Sequence, residues 1–228
     1  MPAAARAPRA ATQEQPAHSP QPELKPFRPP AVPLAALDPY FSVWSCDDAL
    51  HSGRTRHWSG AHMPMTGLLR VDDQAYRFMG AEPAKLPAAE QTALEVFPTR
   101  TRYRFRAGGV ALTLTFTTPA LPHDLDLLAW PVTYVELEAA SADGAPHGVQ
   151  LYFDVLADAG SLHPEQEVAW ARLKLGDFET LRVGTVEQPI LRKTKVQRID
   201  WGYFYLALPP QAGAGSVIAG MAAAQAKF

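Results

Sequence analysis

The chain has 228 residues, 47% hydrophobic, 10% aromatic and 19% charged, which is ample apolar material for a packed core and excludes a chain that is disordered throughout. A formal net charge of -2 at pH 7 supplies no field for gathering phosphates, which argues against nucleic acid and anionic membrane surfaces as partners. The single cysteine, Cys46, excludes a disulfide within the chain, and its neighbours Asp47 and Asp48 oppose the thiolate a nucleophile would need.

The first segment is Pro/Ala-rich. Nine of the 22 prolines lie at or before Pro33, interleaved with Ala, Gln and Arg, and such a stretch buries too little surface to offset its ordering entropy. Residues 1–27 are therefore expected to form a disordered tail. Arg6 and Arg9 resemble the start of a targeting segment, but the apolar run of a secretory signal is not visible after them. Residues 28–228 are expected to form one all-β module, with residues 28–80 a candidate distinct amino-terminal subregion.

From Leu68 onward the dominant hydrophobic period is two, the signature of half-buried strands. Gly67–Val71 and Ala75–Met79 bracket Asp72-Asp73-Gln74 and predict a hairpin. Arg100–Arg106, with Tyr103 and Phe105 alternating against Arg102 and Arg104, leads through Gly108-Gly109 into Val110–Phe116, a second hairpin whose glycines supply the positive φ of a tight turn. Further strands are predicted at Val132–Ala140, Val149–Val155, Val168–Leu175, Leu181–Val186, Trp201–Leu208 and Val217–Met221. Evenly spaced strands without intervening helices predict an antiparallel β-sandwich.

Candidate chemistry concentrates where the periodicity is weakest, in Asp38–Trp44 and Thr55–Gly60. Loops this rich in Tyr, Trp, His and Arg must bury aromatic area somewhere or touch something. Two readings stand side by side: Trp44 and Trp58 plug an open end of the sandwich while Arg56 pairs with Asp38 or Asp47, or these side chains face a ligand. His57 and His62, five residues apart and without further ligands nearby, match no zinc spacing. The acidic pairs Asp47-Asp48 and Asp72-Asp73 fall where adjacent side chains point apart, and Asp124 with Asp126 reads as a solvated loop. None of Ser42, Ser45, Ser52 or Ser59 sits in a nucleophile elbow. Gly108-Gly109 runs into a strand rather than the helix terminus that a phosphate cradle requires.

Several strings carry a resemblance: Arg28-Pro-Pro-Ala-Val-Pro-Leu34, Asp38-Pro-Tyr-Phe-Ser-Val-Trp44, Thr55-Arg-His-Trp58, Gly67-Leu-Leu-Arg-Val-Asp72, Tyr76-Arg-Phe-Met-Gly80 and Arg198-Ile-Asp-Trp-Gly-Tyr203. Asp124-Leu-Asp-Leu-Leu128, Pro131-Val-Thr-Tyr134 and Val149-Gln-Leu-Tyr-Phe-Asp154 extend it. From Arg28 to about Leu208 the chain resembles the amino-terminal region of the glutaminase A family. That resemblance implies a β-sandwich placed before a carboxy-terminal helical-hairpin domain, in usually secreted proteins, some of which deaminate glutamine. It implies an extracytoplasmic or secreted location, although no signal peptide is visible. On this basis the chain is expected to be a non-catalytic module with no cofactor, metal or catalytic residue, whose partner is the helical domain. Asp38, Tyr40, Trp44, Arg56, His57 and Trp58 are its substrate-binding or domain-interface candidates. The alternative is a carbohydrate-binding module in which Tyr40, Trp44 and Trp58 stack on sugar rings.

Overall fold

A computed structural model describes residues 28–163, 165–191, 197–211 and 213–228; the expected tail at residues 1–27 lies outside the described residues. Among these described residues, twelve strands form four antiparallel sheets, with two short helices. The chain is all-β.

The centre is the hairpin of β6 (Arg100–Ala107) and β7 (Val110–Thr117). Alternation sends Thr101, Tyr103 and Phe105 inward from β6 and Val110, Leu112, Leu114 and Phe116 inward from β7, all at most 2% exposed, while Arg102, Arg104 and Arg106 stay at the surface. Gly108 and Gly109 turn the chain at φ +55° and +81°. A Cβ on Gly108 would come within 3.0 Å of Val71, so the turn packs closely on the neighbouring layer.

Around this hairpin runs a four-stranded sheet in the order β5-β6-β7-β8, with β5 at Glu90–Phe97 and β8 at Tyr134–Ser141. A three-stranded sheet, β4-β3-β9, forms the second layer, from β3 (Met65–Val71), β4 (Gln74–Met79) and β9 (Val149–Val155). This sheet therefore draws strands from both sides of residue 80. The layers meet through Phe78 and Phe105, whose rings lie 5.7 Å apart. A Cβ at Gly67 would fall 2.2 Å from the Phe78 ring, so only glycine leaves room for that ring in the core.

A small sheet of β1 (Val32–Ala36) and β2 (Ser42–Ser45) packs over the β6–β7 hairpin, pinned where the Thr101 hydroxyl donates to the Pro33 carbonyl at 2.7 Å. The fourth sheet, β10-β11-β12 (Val168–Leu175, Phe178–Thr185, Phe204–Leu208), attaches through Phe204, stacked on Phe41 at 5.7 Å.

Three strands lie where alternation predicted none. β5 hides because a bulge between Gln91 and Ala93 shifts its register, so Gln91 and Leu94, three residues apart, oppose the inward Phe105 and Tyr103. β1 and β2 are too short, at 5 and 4 residues, for period two to emerge. The predicted strand at Val217–Met221 is corrected: Val217–Gly220 has no regular structure and Met221–Lys227 is the helix α2, since Ala222–Ala224, Gln225 and Ala226 are strong helix formers. The other short helix is α1 (Leu125–Leu128), capped by the Asp124 carboxylate accepting from the Leu127 N–H at 3.0 Å.

Candidate functional site

At the end of the sandwich where β3 begins, the Asp38–Phe41 turn and the Thr55–Gly60 loop lie against each other. The Asp38 carboxylate accepts from the N–H groups of Tyr40 (2.7 Å) and Phe41 (3.0 Å), which closes the β1–β2 connection as an Asx turn. The second loop is tied to β2 by reciprocal backbone bonds between Trp44 and Arg56 of 2.7 and 2.9 Å. Beneath it the Thr55 hydroxyl donates to the Met63 carbonyl at 2.6 Å and accepts from the Met65 N–H at 2.9 Å.

His57 joins the two loops. It is 1% exposed, and its Nδ1 accepts from the Ser59 N–H at 3.2 Å with the Ser59 hydroxyl 2.7 Å away. With Nδ1 as acceptor, Nε2 carries the proton and donates to the Pro39 carbonyl at 3.0 Å. That carbonyl also accepts from the Trp58 indole N–H at 2.6 Å, so both of its lone pairs are used. Burial depresses the His57 pKa; the Pro39 hydrogen bond opposes this, the nearby charge of Arg198 adds to it, and Asp38 opposes it. His57 is therefore a neutral strut with both ring nitrogens engaged.

The six candidates divide by exposure. Tyr40 and Trp58 are each 53% exposed, and Asp38 and Arg56 also reach solvent. Trp44 is half-buried, its indole N–H donating to the Ser42 hydroxyl at 3.0 Å. The plug reading is corrected for Trp58, whose ring lies at the surface because its N–H is drawn to a carbonyl on the rim. Arg56 makes no ion pair with Asp38 or Asp47 among the described residues; of this acidic run it is Asp48 that is paired, to Arg28 at 3.5 Å, while Arg28 also donates to the Asp47 backbone carbonyl.

Sequence reasoning passed over two buried charged residues, of which Arg198 acts on His57 through its charge. Arg198 is 6% exposed and donates to the carbonyls of Asp158 and Ser161, fastening the 3-10 turn Ala157–Gly160. Asp200, 1% exposed, accepts from the Gln166 amide at 2.9 Å. Both belong to the Arg198–Tyr203 string, which marked them without assigning a part. Among the described residues no group of three or more His, Cys, Asp or Glu is placed to hold a metal ion, and no helix is long and apolar enough to cross a membrane.

The profile of a family described as a domain of unknown function (DUF5127) matches residues 99–228, and that of a second (DUF4964) matches residues 7–113. The chain is related to glutaminase A of Aspergillus oryzae, 29% identical over 204 residues that cover 83% of this chain. It spans only 29% of that relative's length. No solved structure matches it.

Proposed function

The chain belongs to the DUF5127 family, and from that premise we propose that it is a non-catalytic amino-terminal module of a glutaminase A-like hydrolase. Its Asp38–Trp44 and Thr55–Gly60 loops pack against the cleft of a helical domain and help shape it. The observation that carries this reading is the contrast within the loops: a backbone locked by His57, Pro39 and Ser59 presents the two half-exposed rings of Tyr40 and Trp58. Large rigid aromatic rings held at a surface are suited to covering another surface at low entropic cost. The relation to glutaminase A fits a module, since it accounts for most of this chain and a minor part of the relative. In the same reading the protein works outside the cytoplasm.

Catalysis by these loops is not supported by their geometry. A base must be free to take a proton from its substrate, whereas both His57 nitrogens are engaged. The test is glutamine hydrolysis by the chain alone and by a full-length relative, with and without Tyr40→Ala and Trp58→Ala. The module reading expects no turnover from the chain alone and a loss of kcat/KM in the full-length double variant at an unchanged melting temperature. Turnover by the chain alone, or a full-length enzyme indifferent to both substitutions, rejects it.

The alternative, a carbohydrate-binding module, draws on the same two rings, because exposed Tyr and Trp faces stack on sugars. Titration with oligosaccharides separates the readings: saturable binding lost in the double variant favours the alternative.

A further inference from the structure

The side of the sandwich away from β4 and β5 is open, and the opening has a definite chemistry. Among the described residues β8 pairs with β7 and with nothing beyond it, and β9 is likewise the last strand of its sheet. Ala142 donates to the Gly109 carbonyl at 2.7 Å, and antiparallel alternation from that bond turns the backbone N–H and C=O groups of Val135, Leu137 and Ala139 away from β7. The side chains of the same three residues lie on the core face, in register with Phe116, Leu114 and Leu112, each at most 1% exposed. Ala139 is nevertheless exposed, and Val135 and Leu137 are only half-buried. On the other layer Val149 and Leu151 are 38% and 37% exposed, although they stand in register with the buried Val71 and Leu69. Among the described residues the hydrophobic core runs out to this edge without a wall.

On its outer face β8 carries Glu136 and Glu138, opposite Thr115 and Thr113. Both are exposed, and neither makes an ion pair among the described residues; the nearby Arg102 and Arg104 are drawn instead to Glu95 on the far side of the sheet. An antiparallel second copy of β8, in the registers that overlap it most fully, would set glutamate against glutamate. Like charges directly opposite destabilise a pair. Self-pairing is thus disfavoured, and charged residues on an edge serve that purpose.

We propose that the β8 edge is a strand-acceptor site, and that its occupant is an extended polypeptide segment of a partner with alternating apolar and basic residues. The backbone of that segment would continue the ladder at Val135, Leu137 and Ala139. Its apolar side chains would close the core beside Leu137 and Leu151, and its basic ones would pair with Glu136 and Glu138. This is β-augmentation, with affinity from main-chain bonds and specificity from alternate side chains. The approach is apolar too: Trp130 and Tyr134, entering β8, are 61% and 53% exposed.

The test uses the whole chain and two capped nine-residue peptides, one strictly alternating lysine and valine, the other glutamate and valine. The lysine peptide is expected to bind roughly tenfold more tightly, given two opposite-charge pairs against two like-charge pairs, and to slow hydrogen exchange at Val135, Leu137 and Ala139. Ala139→Pro removes an outward donor and leaves the β7–β8 ladder intact; it should abolish binding of both peptides. Ala139→Asp, on an exposed side chain, should do the same by placing a charge in the apolar seam, although its charge would attract lysine. Glu136→Lys with Glu138→Lys should invert the peptide preference. Binding that survives both Ala139 variants, a preference that charge reversal leaves alone, or concentration-dependent protection of these amides without peptide, which would make the occupant a second copy, overturns the proposal.

Discussion

The two ends of β3 each carry a histidine bonded on both sides, and the two are tuned in opposite directions. Next to its start, His57 is buried, faces a carbonyl and a hydroxyl, and has its pKa depressed chiefly by burial. At its far end, His147 is largely covered by two exposed carboxylates, 3.0 Å from Asp72 and 3.1 Å from Asp143, which raise its pKa, Asp72 most strongly. The same bonds lower Asp72, together with the Gly148 N–H, and lower Asp143, where the Ala145 N–H is the larger cause. One end is held by a neutral strut and the other by a charged clasp. What distinguishes them is the partners: burial beside neutral groups disfavours the imidazolium, whereas two carboxylates at hydrogen-bond distance favour it.

The largest expected effect is at the strut. His57→Ala should lower stability by about 1–3 kcal/mol, because it removes a fully buried ring that bonds both loops and opens a void. Chemical denaturation measures it. A loss within 0.5 kcal/mol would mean the loops are held by their backbone bonds alone.

The pH dependence follows from the signs. His57, lowered on folding, contributes stability that is present above its ordinary value near 6.5 and is lost as pH falls below it. His147, raised on folding, contributes stability that is complete below about 6.5 and is lost as pH rises through its folded value. Asp72 and Asp143, lowered on folding, contribute above their ordinary value near 3.8 and lose that contribution as pH falls through their folded values. Between about pH 4 and 6.5 the loop end should therefore weaken while the clasp stays whole. Hydrogen exchange at pH 5 and 8 reads both: the Gly60 and Ser59 amides should exchange faster at pH 5, after correction for intrinsic rates, and the Gly148 amide faster at pH 8. Parallel behaviour at the two ends would break the comparison.

A smaller effect is expected from His147→Gln, which keeps a hydrogen-bonding side chain but no charge. It should flatten the alkaline shoulder of the stability profile and alter the limb below about pH 4, where Asp72 and Asp143 lose the histidine charge that helps lower them. The limb between about pH 4 and 6.5 should stay in place; a change in that middle range would show that the ends are coupled. Smallest of all should be Trp58→Ala and Tyr40→Ala, within about 0.5 kcal/mol apiece, since surface substitutions seldom cost more. A thermal melt detects a larger change, which would mean that these rings serve the fold rather than a partner.

The legible parts of this fold were those where a single strand carries its own pattern. In β6, β7, β9 and β10, period two placed each strand to within a few residues, and the Gly108-Gly109 turn was readable because positive φ favours glycine. β5 escaped because one bulge residue broke the alternation, and α2 because its alanines follow Val217 and Ile218, which look like strand. At the candidate site, sequence gathered the right loops by their unusual load of Tyr, Trp, His and Arg. It could not say that His57 turns inward while Trp58 turns outward, since adjacent residues in one loop are separated only by which partner each finds.

By itself the sequence determined the all-β character, the main hairpins and the relation to glutaminase A, because strand periodicity, turn glycines and local motifs are written along the chain. Only the tertiary structure decided which histidine is lowered and which is raised, that Arg198 is buried close enough to His57 for its charge to act on it, and that the core opens at β8 among the described residues. Burial and pairing depend on segments far apart in sequence, such as Pro39 with His57, Asp72 with His147, and β3 with β9, and no local pattern records which of them will meet.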